Sequence, residues 1–564
     1  MRRCTLTIVL LALIAHPAFA QDAPIEMIPA SASLVIRLQA PETTSEELGA
    51  FINKVQPGFG EIAKAQVPVA LGQMLSNPTL VGIDKSKDWY VAVFPDDARQ
   101  MKEVYLLPTT DSQEVKDAMG ERFSYAENNG WLVCSKSVNF RDEFASVFSG
   151  SAKSIAETLD DQTKSALNSG HLCVVVNGAA LKEAYADELA SADEGLEGLL
   201  QTLSAQMATA NPQMELEYVL DVYRSLGKAL LQGVRDSKSA AVSVTLTETA
   251  LQIDKLLTVE ADSQTDTFFQ SQPVSDMARL TALPEGLAGY GAISGDPTSL
   301  LDWSEQLASS MFKEKDTLDK MKKSMALMRQ AKFGTLVMGG DLVPEEDAAL
   351  QYFAVGEISP ASVVREAFQI FGTGIEYEIA GIRQKQSFEL NAETIDGQAV
   401  DIMRTEQELP PGLDPTGMQR AINEKMYGPD GMVQRIVVKG DLLLQTLGGG
   451  PGSMKRLLTP VNWSDSKLLE ARARQHDKAN LLLLADLPNM FKKFAQMILG
   501  TGAIPIPLEP EQLDDLKIAP SYAGVSVAVE KQRLHARTSI PLETFQGFVQ
   551  IGLFLQKAFA GQQQ

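Results

Sequence analysis

Histidine and cysteine, the side chains that most often bind metals or transfer protons at neutral pH, are scarce in this chain. Its 564 residues include four His and three Cys. Beyond the N-terminal segment the histidines are His171, His476 and His535, widely separated, and neither H-E-x-x-H nor C-x-x-C occurs. Zinc sites are usually built from clusters of these side chains. The sequence therefore predicts no metal site.

Two cysteines, Cys134 and Cys173, stand in apolar segments that are typical of β-strands. In an oxidising compartment such a pair can form a disulfide. The alternative is two buried thiols that act as small apolar side chains. Both interpretations stay open, because the sequence does not reveal whether the two strands are neighbours.

The sequence contains few of the motifs that are typical of serine or carboxylate catalysis. There is no G-x-S-x-G elbow, and the S-x-x-K matches at Ser310 and Ser464 lack an accompanying K-T-G. The glycine-rich stretch 448–453 differs from a P-loop because Ser453 stands where the lysine is required, and we expect a tight strand-to-helix turn there. A hydrolase that uses two carboxylates stays open, since their spacing is defined only in three dimensions. We identify no catalytic residue, no cofactor-binding residue and no cofactor.

The N-terminus has the three parts of a secretory signal. Arg2 and Arg3 precede the apolar run 6–15, and Ala18 and Ala20 are the small residues that a signal peptidase needs. We expect residues 1–20 to be a signal peptide cleaved after Ala20, and the protein to be exported to the periplasm or the cell exterior. No later apolar run is long enough to cross a bilayer, so no transmembrane span is predicted.

The amino-acid composition limits the classes of partner that we expect the protein to bind. There are 50 Lys and Arg against 72 Asp and Glu, a formal charge of −22. An acidic chain repels phosphate backbones, so nucleic acid is not an expected partner. The length favours two or more domains, since single cores rarely grow so large.

Three ordered sequence matches indicate an internal duplication. The segment 242–252 resembles 525–535, and each alternates apolar and polar residues around a turn, as a β-hairpin does. The strand 172–177 resembles 481–486, and each ends in a good helix N-cap, Asn177 or Asp486. Ile28-Pro29 and Leu283-Pro284 each precede a strand.

These patterns predict an α+β fold of two related halves. Adjacent strands joined by short turns favour antiparallel pairing over parallel crossovers. We expect each half to be a mainly antiparallel curved sheet with helices packed on one face. The halves would be repeat domains at 21–275 and 280–564.

The prolyl-led opening at 28–38, its echo at 283–290 and the large duplicated body resemble large exported bacterial proteins of unknown function. The similarity covers most of the chain after residue 20 but rests on pattern. It implies an exported location and supplies no site residues.

Three functional hypotheses follow. The first is a non-enzymatic exported binding or scaffold protein that engages an unknown protein partner or an apolar small molecule. The second is a secreted hydrolase that uses Asp or Glu carboxylates. The third is a cell-envelope structural component, which would contact the envelope peripherally. The fold alone does not choose among them.

Overall fold

A computed structural model describes residues 24–560 except 96–100, 138–139, 211–216, 299, 303, 306–313, 380–381, 409–413, 415, 460, 462 and 503–509. The predicted signal peptide 1–20 and its predicted cleavage site at Ala20 lie outside the described residues, as does Ser310. The chain divides into two compact units. Unit 1 comprises the described residues up to Glu46 together with Ala65–Ala184, and unit 2 comprises Glu47–Lys64 together with the described residues from Tyr185 onward.

Unit 1 contains a six-stranded sheet. Its strands are β1 (Leu34–Leu38), β2 (Trp89–Pro95), β3 (Met101–Pro108), β4 (Ser124–Asn128), β5 (Trp131–Ser135) and β6 (Leu172–Asn177). All described pairs are antiparallel, in the order β6-β1-β2-β3-β5-β4. The first six helices are α1 (Pro41–Val55), α2 (Gly60–Leu75), α3 (Ser112–Met119), α4 (Phe140–Phe148), α5 (Asp161–Leu167) and α6 (Gly178–Ala184). The division between the units falls within α1 and α2.

A buried arginine organises the start of the unit 1 sheet. Arg37 on β1 is only 6% exposed, and its Nε donates to Asp88 Oδ2 at 2.7 Å. Its Nη1 donates to the carbonyl of Gly170, and Asp88 Oδ1 accepts from the Ala40 N–H. The charge is therefore paired and hydrogen-bonded, as burial requires. This ion pair ties β1 to the segments that lead into β2 and β6.

Unit 2 contains a larger antiparallel sheet. Its strands are β7 (Ser237–Leu246), β8 (Ala250–Val259), β9 (Gly289–Ile293), β10 (Lys332–Leu342), β11 (Leu350–Ser359), β12 (Ile375–Ile379), β13 (Ile382–Ile395), β14 (Gln398–Glu408), β15 (Met432–Lys439), β16 (Leu442–Leu447), β17 (Leu481–Ala485), β18 (Ala523–Glu530) and β19 (Arg533–Pro541). The order is β7-β8-β19-β18-β17-β9-β10-β11-β16-β15-β14-β13-β12.

The helices of this part of the chain are α7 (Ala186–Ala210), α8 (Glu217–Asp236), α9 (Gln264–Ser271), α10 (Lys315–Met328), α11 (Ala361–Gly372), α12 (Met418–Tyr427), α13 (Gly450–Leu458), α14 (Ser466–Ala473), α15 (Leu487–Gly500) and α16 (Leu542–Ala560). Short 3₁₀ helices occupy Pro24–Glu26, Ile155–Glu157, Ala278–Ala282 and Pro510–Leu513. No helix of the described residues is both long and apolar enough to cross a membrane.

A leucine-proline lead-in anchors the core of unit 2. Leu283 and Leu287 are fully buried, and Tyr290 on β9 donates from its hydroxyl to the Pro284 carbonyl at 3.0 Å. The Tyr522 hydroxyl donates to the Leu287 carbonyl at 3.0 Å. These bonds satisfy loop backbone that would otherwise be buried without partners. This leucine-proline segment, which is one of the segments matched in the sequence, is therefore part of the packed core of unit 2.

The expected α+β class is confirmed at the level of a mixed helical and antiparallel protein, 44% helical and 31% strand. Unit 1 contains both kinds of element, for example the strand Trp131–Ser135 and the helix Ser112–Met119. Asp111 caps that helix by accepting hydrogen bonds from the N–H groups of Gln113 and Glu114. The two compact units divide the chain at positions other than the predicted boundary between 275 and 280, and β8, before that boundary, pairs with β19, after it.

The segments matched by sequence occupy strands with matching registers. Leu38 of β1 pairs with Leu172 of β6, and at the corresponding positions Ile293 of β9 pairs with Leu481 of β17. In the hairpins, Val242 pairs with Lys255, and Val525 pairs with Thr538. Since a slip of one residue would turn every side chain to the opposite face, equal registers give the matched strands the same inward-facing positions.

The disulfide between Cys134 and Cys173 is wrong for this structure, in which both are free and buried. Strand β5, which carries Cys134, is separated from β6 by β3, β2 and β1. Neighbouring strands lie about 4.8 Å apart, so the cysteines are about 19 Å apart along the sheet. A disulfide needs Cα atoms within about 7 Å. The alternative, two buried thiols, is the arrangement found.

Both thiols should therefore be protected until the chain unfolds. Burial raises the pKa of Cys173 to about 11 and raises that of Cys134 further, so neither forms much reactive thiolate at neutral pH. Alkylation without reductant should label neither cysteine in the folded protein and both in denaturant. A peptide that joins Cys134 to Cys173 in a non-reducing map would contradict the sheet order.

The glycine-rich stretch forms the expected strand-to-helix turn between β16 and α13. Gly448, Gly449 and Gly450 have φ values of 74°, 62° and 59°. These angles lie in the left-handed region that favours glycine. A Cβ atom on Gly448 would lie 1.8 Å from the Leu350 carbonyl oxygen. Backbone packing therefore requires glycine at this position.

Gly448→Ala should lower the free energy of unfolding by at least about 2 kcal/mol, because it combines a left-handed backbone with a backbone clash. Chemical denaturation measures this change. Gly452→Ala is the matched control, since it lies inside α13 with open space around the new methyl group and should be neutral or stabilising. Equal denaturation midpoints for the two variants would contradict this account of the turn.

Candidate functional site

Polar side chains form a row across four strands of unit 2. Ser243 of β7 pairs with Asp254 of β8, Asp254 pairs with Arg537 of β19, and Arg537 pairs with Ser526 of β18. Directly paired residues of neighbouring antiparallel strands project to the same face of a sheet. Arg537 Nε donates to Asp254 Oδ1 at 2.7 Å. The row therefore centres on an ion pair between β8 and β19.

Two histidines lie beside this row. His535 belongs to β19, and His476 precedes β17; their ring centroids are 6.4 Å apart. His476 Nδ1 lies 2.8 Å from Ser526 Oγ. We call the group formed by Asp254, Arg537, Ser526, His476 and His535 the seam cluster. The third histidine, His171, is buried in unit 1 and does not join it.

Ser526 has its hydrogen-bonding capacity filled. Besides the His476 ring, Ser526 Oγ accepts from the His476 backbone N–H at 3.2 Å and bonds to Gln475 Oε1 at 3.0 Å. Its exposed fraction is zero. A nucleophile must contact its substrate, and a fully buried hydroxyl does not. Ser526 therefore does not fit the role of a nucleophile, and its hydrogen bonds instead join β18 to Gln475 and His476.

Burial lowers the pKa of both imidazoles. For His476, the positive charge of Arg537 and the neighbouring His535 lower the pKa further, while Asp254 and Glu530 oppose them. For His535, burial is the largest cause, and the nearby arginines Arg533 and Arg537 act in the same direction. Both rings are therefore held neutral near pH 7.

The ring of His535 is partly buried beside His476. The alternating pattern of β19 places His535 correctly on a polar face. What covers that face is the segment before β17, which the local pattern does not reveal. Within the described part of the chain, no group of three or more His, Cys, Asp or Glu side chains could hold a metal ion.

The histidines of the seam cluster should make stability depend on pH. Because their folded pKa values are lowered, the unfolded state binds more protons below its ordinary histidine pKa near 6.5. The stabilising contribution of the neutral rings is present above pH 6.5 and is lost as the pH falls below it. Denaturation midpoints measured from pH 7.5 to about pH 5 should fall more steeply for the wild type than for His476→Gln/His535→Gln. Parallel curves would contradict the buried pair.

A surface cavity of about 470 Å³ lies between β14, α12 and the start of β15. Thr405 and Gln407 line it from β14, and Arg420, Asn423 and Tyr427 line it from one face of α12. Asn423 Nδ2 donates to Gln407 Oε1 at 3.4 Å. More than half of the residues that line it have polar or charged side chains, so it does not match the predominantly apolar cavity that a small apolar ligand prefers.

Helix α15 exposes an apolar stripe. Leu487, Met490, Phe491 and Phe494 are 41%, 38%, 48% and 50% exposed, and their spacing places them on one helix face. We call these four residues the α15 stripe. Their exposure is notable because large apolar side chains grouped on one surface mark binding sites.

The other sides of α15 are held firmly. Pro488 and Met497 are buried, and a Cβ atom on Gly547 of α16 would lie 2.8 Å from Pro488. Asp486 caps the helix as the sequence predicted, accepting from the Asn489 N–H. Lys493 pairs with Asp341 at 2.6 Å. The stripe is therefore presented on a fixed helix.

The sequence contained the α15 stripe but did not distinguish it from a buried face, because apolar residues occur on several sides of this helix. The methionine-rich helix α10 shows the reverse case. Met321 is buried and packs with Leu318, Met325 and Tyr377, so that helix uses its apolar stripe for packing.

Comparisons of the chain with family models, with curated proteins and with solved structures find no match.

Proposed function

We propose that the protein is a non-enzymatic exported binding or scaffold protein that engages a protein partner through the α15 stripe. The observation that carries this proposal is the exposure of four large apolar side chains on one face of a helix whose other face is packed. An amphipathic helix that presents apolar residues three and four positions apart fits an apolar groove of another protein.

A protein partner fits better than an anionic membrane surface. Membrane-bound amphipathic helices usually add lysines that are free to contact lipid headgroups. Here Lys493 is paired with Asp341, and Lys492 donates to the Leu516 carbonyl at 2.8 Å. The formal charge of −22 also repels anionic lipid. A partner of the cell envelope stays compatible with the proposal if it is a protein.

The buried carboxylates favour a binding role over hydrolysis. Asp401, 1% exposed, accepts a hydrogen bond from Arg365, and Asp266 accepts one from the Gln532 backbone N–H at 2.7 Å. Asp486 caps α15. These carboxylates accept hydrogen bonds from an arginine and from backbone N–H groups. The two carboxylates of a glycosidase must instead face a shared substrate.

A photo-crosslinking amino acid at Phe491 in the exported protein tests the proposal. We expect a discrete crosslinked protein product in the native compartment, which the added substitution Phe494→Ser weakens by removing half of the aromatic surface. The same amino acid at Gln550, an exposed position of α16, is the matched control and should give no such product.

Crosslinking at Phe491 that does not exceed the Gln550 control would overturn the docking role. A product of twice the chain mass would instead identify self-association and favour the structural-component hypothesis. A lipid adduct would favour peripheral contact with the membrane.

We further infer that the chain consists of two related halves, 21–275 and 280–564. The support is the equal register of the matched strand pairs, β1 with β6 against β9 with β17 and β7 with β8 against β18 with β19. Three separate sequence matches that also agree in register are not expected from unrelated segments.

A further inference from the structure

Strands β8 and β19 are the edges along which the two matched hairpins meet. Arg537 stands 283 positions after Asp254 and is therefore its counterpart in the second hairpin. These two residues are also directly paired across the β8–β19 ladder. A residue that faces its own counterpart lies on a two-fold axis.

The rest of the ladder follows the same symmetry. Ala250 pairs with Pro541, and Thr258 pairs with Arg533. Arg533 is the counterpart of Ala250, and Pro541 is the counterpart of Thr258, so exchanging the hairpins leaves the pairing unchanged. Lys255 Nζ also donates to Thr538 Oγ1 at 3.1 Å, and these residues are again 283 positions apart.

A strand pairing with two-fold symmetry is self-complementary, because equivalent strand edges lie on the two sides of the axis. Two copies of β8 could pair with one another in this register, and so could two copies of β19. The first pairing would set Asp254 against a second Asp254, and the second would set Arg537 against a second Arg537. Like charges directly opposite one another destabilise an antiparallel pair.

We infer that the β8/β19 edge is a self-complementary interface whose alternative partner is the same edge of a second copy of this chain. The Asp254–Arg537 ion pair favours pairing of β8 with β19 over pairing of β8 with a second β8 or of β19 with a second β19. This inference rests on the duplication inferred above and is independent of the α15 stripe.

Two charge-reversal variants of the full chain test it. Asp254→Arg places arginine at both axis positions, and Arg537→Asp places aspartate at both. Each variant alone should be monomeric with a Tm several degrees below that of the wild type. After the two are unfolded and refolded together, sedimentation velocity should detect a dimer, because opposite charges then meet only between copies.

The double variant Asp254→Arg/Arg537→Asp restores opposite charges within one chain. It should be monomeric and should recover most of the lost Tm. Glu376 and Lys385 are a matched control, since they are a directly opposed ion pair of β12 and β13, 3.8 Å apart, at positions that are not counterparts. A refolded mixture of Glu376→Lys and Lys385→Glu should contain monomers alone.

A refolded mixture of Asp254→Arg and Arg537→Asp that contains only monomers would overturn the inference. If either variant does not fold by itself, recovery of folded protein only in the mixture supports the interface, and failure of both alone and together overturns it. Crosslinking at Phe491 reports the docking role separately, because neither substitution contacts α15.

Discussion

The pairing of β8 with β19 is the interaction that joins the strands of residues 237–259 to the strands that follow in unit 2. Its central contact, between Asp254 and Arg537, spans 283 positions of sequence. Closing such a long loop costs conformational entropy that only the completed ladder and its packing offset. The order of the remaining strands depends on this junction, because β18, β17 and β9 follow β19 in an unbroken antiparallel series.

Polar groups near this junction specify one arrangement. Ser526 is fully buried and bonded to both His476 and Gln475, so an alternative register would leave a buried hydroxyl and the amide oxygen of Gln475 without these partners. Unsatisfied buried groups cost about 1–3 kcal/mol each. The same burial keeps the two histidines neutral, which links the stability of the junction to pH. The seam cluster therefore joins β8, β19, β18 and the segment before β17 in one network of hydrogen bonds and an ion pair.

Helix α15 has the opposite character. One side is fixed by the N-cap Asp486, by Pro488 against α16 and by the Lys493–Asp341 ion pair, while the α15 stripe faces outward. A fixed helix loses little conformational entropy when a partner covers it, which favours binding. Rigid presentation and exposed aromatic side chains together support the proposal that this surface binds a partner.

Local patterns determined the secondary structure, the helix cap at Asp486 and the glycine turn at 448–453, because each depends on residues a few positions apart. The sequence also predicted the antiparallel pairing, from adjacent strands joined by short turns. Only the tertiary structure separated Cys134 from Cys173 by three intervening strands and brought His476 beside His535. It also decided that the apolar stripe of α10 is used for packing while that of α15 is exposed. The physical reason is that periodicity defines the faces of an element, whereas what covers each face depends on residues distant in sequence.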